Sequence, residues 1–253
     1  MKIIAIANFK GGVGKTTTAI NLAAGVRDKG KKVLLIDIDP QANLTQSLGI
    51  KGNMGHSVYT LLHKVAFGEK IDISDFILPN SGLDVLPATL ELANAELELA
   101  SVYGREGILS QALEPLAGYD YVFIDCPPSI GMLTINALVA SDFIIMPLQA
   151  EFLPLQGVQS FFKHFKMVSQ LNKRLKLLGF VLTKYDQRKI MNQEVKKELE
   201  DTFEKDMIFG TVIRSNITLA NAQQKGQDIF TFDEKSNGAE DYRKLTEEFL
   251  SKI

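Results

Sequence analysis

The sequence predicts an α/β fold: a mostly parallel, twisted sheet with helices on both faces. Three observations predict it. Short apolar runs of strand length alternate with helical stretches along the whole chain. The runs are apolar throughout, as expected of strands covered on both faces. The first run also joins the first helix through a glycine-rich turn, Lys10-Gly11-Gly12-Val13-Gly14-Lys15.

The elements follow in order. Lys2 to Asn8 reads as a buried strand, and Thr16 to Lys29 as a helix stopped by Gly30. Lys32 to Ile38 is the second strand. Ser57 to Val65 and Leu90 to Ala100 are expected to be helices, with a short strand, Leu83 to Leu86, between them. Gly107 to Leu116 reads as helix, Tyr119 to Asp125 as strand, Ile135 to Ala140 as helix and Phe143 to Leu148 as strand. A long helix, Leu153 to Leu171, precedes the strand Lys176 to Thr183. Lys189 to Phe203 is a charged helix, Met207 to Ile213 a last strand and Gly238 to Ile253 a last helix. The stretch Gly49 to Pro87 is the least regular, and reads as an excursion from the sheet. No linker, repeat or low-complexity segment interrupts the pattern, so residues 1–253 are expected to form a single domain.

At 253 residues, 45% hydrophobic and 23% charged, the chain suits a globular domain with a sizeable core and not a disordered one. Its longest apolar runs fall far short of the ~20 residues that span a bilayer. The run Ile3 to Ala7 is too short for a signal-peptide core. The lone Cys126 excludes an intrachain disulfide and a multi-cysteine zinc site. A cytoplasmic enzyme is the natural expectation. The net charge of -2 gives no bulk attraction to nucleic acid. Between Phe161 and Lys225, however, 13 Lys and Arg stand against 7 Asp and Glu. That surplus suits either an anion-binding surface or solvated helix faces.

The strongest chemical signal is Lys10 to Thr17, a glycine-rich loop between an apolar strand and a helix. Such a loop turns backbone N–H groups toward phosphate oxygens, and the following helix adds its positive end. Gly11, Gly12, Val13 and Gly14 form the cradle, with Thr17 beside it. Lys15 is placed to reach the β- and γ-phosphates and Thr16 to ligate Mg²⁺. Phe9 stands where the standard loop has its first glycine, and Lys10 adds a second lysine. Asp125 ends an apolar strand at the sheet edge where ligands bind, so it is expected to hold Mg²⁺ through water. Of Asp37 and Asp39, only one is expected to face the phosphates. The histidines, His56, His63 and His164, lack metal-ligand spacing. Cys126 reads as a packing residue.

The loop resembles the deviant phosphate-binding motif of the ParA/MinD ATPases. The resemblance extends through Asp37-Ile38-Asp39-Pro40-Gln41, Phe123-Ile124-Asp125-Cys126-Pro127-Pro128, Pro147 to Glu151 and Thr183-Lys184-Tyr185-Asp186, in family order. It implies a Mg²⁺-dependent ATPase that forms a homodimer with ATP. Lys10 would cross to the partner's nucleotide, and Asp39 would position the attacking water and lie at the metal. Asp37 would be an outer-shell or structural group. Ile213, Arg214 and Asn216 would surround the base. Chromosomal relatives bind DNA without sequence preference, which implies contacts from Lys184, Arg188, Arg214 and Lys225, with charge from Lys163, Lys173, Arg174 and Lys189. The segment Ile213-Arg214-Ser215-Asn216-Ile217-Thr218 departs from the family's Ile-Pro-Arg-Asn-Val-Arg.

The leading reading is therefore a nucleoid-associated partition ATPase, working with a ParB-like centromere-binding protein on a plasmid or chromosome. Starting at its first strand, the chain is expected to lack the helix-turn-helix extension of larger plasmid relatives. The alternatives are a ParA-like ATPase that positions a protein cargo, a nucleotide-gated scaffold without turnover, and a MinD-like membrane-cycling ATPase. The last needs a basic amphipathic C-terminal helix. Here that helix carries Glu240, Asp241, Glu247 and Glu248 against Arg243, Lys244 and Lys252, so no membrane partner is expected.

Overall fold

The computed structural model describes residues 1–51, 54–150 and 155–253; side chains are also not described at Met54 and from 155 to 160. The chain runs β1 (Lys2–Ile6), α1 (Lys15–Asp28), β2 (Val33–Asp37), α2 (Asn43–Ser47), α3 (Val58–Ala66), β3 (Leu78–Asn80), β4 (Leu83–Leu86) and α4 (Leu92–Glu98). It continues through α5 (Ile108–Leu113), β5 (Tyr121–Asp125), α6 (Met132–Ala140), β6 (Phe143–Gln149), α7 (Leu155–Leu171) and β7 (Lys176–Thr183). The last helices are α8 (Ile190–Thr202), α9 (Ile217–Gln224), α10 (Ile229–Asp233) and α11 (Asn237–Lys252).

The seven strands form one sheet in the order β3-β4-β2-β5-β1-β6-β7. Among the described residues, only the β3–β4 pair is antiparallel. Alternate residues of each strand feed two cores. Ile4, Ile6, Leu35 and Phe123 face α1, α9 and α11. Ala5, Leu34, Val122 and Ile124 face the layer of α3 to α8. This is why the strand sequences are apolar at every position. The central strands β1 and β5 end together, pairing Ile6 with Asp125, so the loop after β1 and the loop after β5 emerge side by side.

Two expectations are corrected. The stretch Gly49 to Pro87 is not wholly an excursion, because the β3–β4 hairpin within it extends the sheet edge. Met207 to Ile213 is not a strand. It forms one isolated bridge to β7 at Ile208 and donates to β7 only from Phe209 and Ile213 among the described residues, while Gly210 and Thr211 turn their N–H groups to the Glu248 carboxylate at 2.7 and 2.9 Å. Those donors are withdrawn from the ladder. The long helix matches α7, but its expected start at Leu153 lies outside the described residues, as does Glu151. In α11 the apolar Tyr242, Leu245 and Phe249 are buried against α1 and the sheet. No helix among the described residues is long and apolar enough to cross a membrane.

Candidate nucleotide site

The loop between β1 and α1 is shaped by two left-handed glycines, Gly12 at φ 74° and Gly14 at φ 87°. A side chain at either would be strained. Gly14 caps α1, which begins at Lys15. The Thr183 hydroxyl donates to the Val13 carbonyl at 2.8 Å and so ties the back of the loop to β7. Phe9 is explained by packing. Its ring lies 5.2 Å from Phe161 and 5.7 Å from His164 of α7.

Lys15 is buried and its Nζ donates to the Lys10 carbonyl at 3.3 Å. Burial pulls its ammonium down from the usual range, against the attraction of Asp125, Cys126 and Asp39. Thr16 donates its hydroxyl to Asp125 Oδ2 at 2.6 Å. The other oxygen, Asp125 Oδ1, is buried and makes no hydrogen bond among the described residues. Burial first, and then Asp37, pushes the Asp125 carboxyl well above its ordinary range. A buried acceptor left unsatisfied costs ~1–3 kcal/mol, which a cation would relieve.

Asp37 and Asp39 sit in different surroundings. β2 ends at Asp37, so the two are not successive same-face residues of one strand. Asp37 is fully buried. Its Oδ2 accepts from the Thr45 N–H at 2.9 Å and the Thr45 hydroxyl at 2.7 Å, and its Oδ1 accepts from the Asp39 N–H at 3.2 Å. Thr45 in turn accepts from the Ala88 N–H at 3.0 Å. This clamp fixes the turn that carries Asp39, whose own carboxylate accepts from the Gln41 N–H at 2.9 Å. Burial pushes the Asp37 carboxyl up to about 6. Burial also pushes the Cys126 thiol up, so it is an inert packing residue as expected.

A cleft of about 480 Å³ opens above these groups. Gly11, Gly12, Gly14, Lys15, Thr16, Thr17 and Asp39 line it, together with Thr183, Lys184, Ile213, Arg214, Ser215, Asn216 and Gln223. The cleft thus joins the expected phosphate and base residues. Val13 is buried behind the loop, and Lys10 is exposed at its rim. Sequence reasoning missed Thr183, Gln223 and Tyr242. Gln223 accepts from the Thr17 hydroxyl at 3.3 Å, and Tyr242 contacts the Thr18 hydroxyl at 3.2 Å.

The residues expected to meet DNA are not alike. Lys184, Arg188 and Lys225 are exposed. Arg188 folds back onto Asp186 through two hydrogen bonds at 2.9 and 3.0 Å, which hold that carboxyl down to about 2. Arg214 points to α11. It donates to Asp241 and, at 2.7 Å, to Glu240, and these bonds push its guanidinium above the usual range. Arg214 is therefore engaged as a brace for the cleft wall.

The comparisons agree with this geometry. A family described as "AAA domain" matches residues 1–177. The chain is 44% identical over 252 residues to the sporulation initiation inhibitor protein Soj of Bacillus subtilis, covering 98% of this chain and 97% of that protein. The chain belongs to the Soj/ParA family of partition ATPases. Among solved structures of similar fold, a putative plasmid partition protein of Borrelia burgdorferi bound to AMPPNP superposes with a TM-score of 0.82 at 31% identity, covering 100% of this chain and 99% of that one. A cobyrinic acid a,c-diamide synthase of Mycobacterium smegmatis with bound ADP and magnesium gives 0.85 at 37% identity, covering 98% and 94%.

Proposed function

We propose that the chain is a Mg²⁺-dependent ATPase that dimerises on ATP and, as a dimer, binds duplex DNA of any sequence to move a plasmid or chromosome with a ParB-like partner. One observation carries the nucleotide part: Lys15, buried with a single carbonyl acceptor, beside Asp125 with an unpartnered oxygen. Polyphosphate satisfies the first and a divalent cation the second. The donor set, one hydroxyl and one carboxylate, suits Mg²⁺, which keeps waters and phosphate oxygens as its other ligands. When bound, the ion neutralises phosphate charge in the transition state. Thr16 and Asp125 hold it, and Lys15 orients the β- and γ-phosphates. Asp39 accepts a hydrogen bond from the attacking water. Exposed Lys10 is free to reach the nucleotide of a second subunit, where two polyphosphates need positive charge between them.

The basic stretch from Lys163 to Lys225 supports the DNA part. Pairing two such faces doubles the phosphate contacts, so binding follows nucleotide state. The reading treats residues 1–253 as one domain, in the cytoplasm and on the nucleoid. Burial of Tyr242, Leu245 and Phe249 disfavours membrane cycling by α11. Co-sedimentation with duplex DNA and with anionic vesicles tests this directly. ATP-dependent retention on DNA, weakened steeply by salt, is expected. Retention on vesicles alone overturns it. Light scattering should find Lys10→Ala monomeric with ATP; normal dimerisation of that variant removes Lys10 from the interface.

A further inference from the structure

Lys10 is exposed at the rim of the cleft, and the chain that follows it gives little support. Gly11 and Gly12 come next, and a Cβ built at either would meet nothing within 4 Å. Glycines in open space do not restrain a neighbour. The residues on the other side of Lys10, Asn8 and Phe9, are held firmly.

Asn8 stands where the chain leaves the sheet. The Ala7 N–H still donates to the Ile145 carbonyl of β6 at 3.1 Å. In a continued parallel ladder the Phe9 N–H would take the Pro147 carbonyl next. The Asn8 side chain takes it instead, with Nδ2 donating at 2.7 Å, while its Oδ1 accepts from the Lys10 N–H at 2.9 Å. A backbone N–H only donates and a carbonyl only accepts, so the amide has one consistent orientation. One side chain thus ties the Lys10 backbone to β6. Phe9 adds an apolar anchor. Its half-buried ring packs on α7, tilted against Phe161 at 5.2 Å and edge-on to His164 at 5.7 Å. A standard loop has glycine at this position, so phosphate binding does not require a ring there.

A third contact depends on the ligand. Lys15 Nζ donates to the Lys10 carbonyl at 3.3 Å, and a polyphosphate that takes this ammonium draws the bond away. Neither Asn8 nor Phe9 lines the cleft, so their contacts stay when it fills.

We propose that Asn8 and Phe9 are positioning residues for Lys10, holding its backbone so that the ammonium is presented to the nucleotide of a second subunit. This role rests on the ATP-dependent dimer reading above. The backbone of Lys10 is ordered before the subunits meet, and that ordering no longer opposes association. Loss of either contact should therefore weaken dimerisation and spare ATP binding by one subunit, which depends on Lys15 and Thr16.

The test compares the full-length wild type, Asn8→Ala, Phe9→Ala and Lys10→Ala with MgATP. ATP affinity is measured at protein concentrations where the chain is monomeric, and dimer dissociation by analytical ultracentrifugation. Amide exchange is followed at position 10. Asn8→Ala and Phe9→Ala should each weaken dimerisation about tenfold, the cost of ordering one residue's backbone, and change ATP affinity less than about threefold. The position-10 amide should exchange faster in both. Asn8→Ala leaves the ring packing in place and Phe9→Leu keeps an apolar anchor, so the test stands if Phe9→Ala is unstable. Wild-type dimerisation in both variants, with Lys10→Ala monomeric, overturns the positioning role alone. So does unchanged exchange at position 10. A loss of ATP affinity as large as the loss of dimerisation assigns both residues to the phosphate cradle and also overturns it. Normal dimerisation of Lys10→Ala overturns the reading of Lys10 itself, and the positioning role with it.

Discussion

The cleft and the arginines expected to meet DNA hold charge in opposite ways. In the cleft, Lys15 and Asp125 are buried with bonding capacity left over. Arg188 and Arg214, by contrast, already have carboxylate partners, at 2.9 and 2.7 Å. The first arrangement is costly without a ligand; the second is satisfied without one. A lysine and an aspartate kept in the first state mark a site more sharply than a surplus of surface lysines.

The comparison breaks or sharpens in four ways, from the largest effect down. Asp39→Ala should retain ATP binding yet lose about 10²–10⁴-fold in hydrolysis, the range for a positioned acid–base group. Single-turnover hydrolysis checks it, and near-normal turnover moves the catalytic role elsewhere.

The buried carboxyls should also set the pH dependence of the nucleotide-free protein. Burial raises Asp37 to about 6, against ~3.9 in an unfolded chain. Between those values the folded state holds a proton that the unfolded state has released. Stability should therefore fall as pH rises from about 4 through 6, by on the order of 3 kcal/mol for a shift of this size. Asp186, held low by Arg188, and Glu240, held low by Lys244 and Arg214, act the other way and only below about pH 4. Thermal melts across this window show the trend; a flat profile contradicts it.

Much of the cleft was legible because its signal is local. The loop from Lys10 to Thr17 is contiguous, and Asp125 ends an apolar strand. What escaped is what the fold brings from a distance. Thr183 meets Val13 across 170 positions, and Tyr242 meets Thr18 across 224. No local pattern marks either. The strand expected from Met207 was misread because apolar residues alone do not show that Glu248 takes the Gly210 and Thr211 donors. The Asp241 partner of Arg214 escaped for the same reason.

Thr45→Val comes next in size. It leaves the Ala88 N–H without its acceptor and removes one donor to Asp37, at about 1–3 kcal/mol. The melting temperature should drop by several degrees, and hydrolysis should slow as the Asp39 turn loosens. Thr45→Ser, which keeps the hydroxyl, should restore both. A Thr45→Val protein as stable as wild type removes the clamp.

The smallest effects separate the two arginines. Arg188→Ala should leave stability nearly unchanged, since its pair is exposed. It should reduce the salt dependence of DNA binding by about one charge. Arg214→Ala should instead destabilise the fold by about 1–2 kcal/mol, because buried Asp241 loses its partner; 40% exposure of the arginine keeps this below the fully buried case. Denaturant melts and salt titrations of both variants decide. Identical behaviour would erase the distinction between them.

The most direct measurement is a titration of labelled MgATP into wild type, Lys15→Ala and Arg188→Ala side by side. Losing a charge-assisted bond to the phosphates costs about 3 kcal/mol, or roughly 100-fold in affinity. The account predicts that loss for Lys15→Ala and none for Arg188→Ala. Unchanged affinity in Lys15→Ala would contradict it.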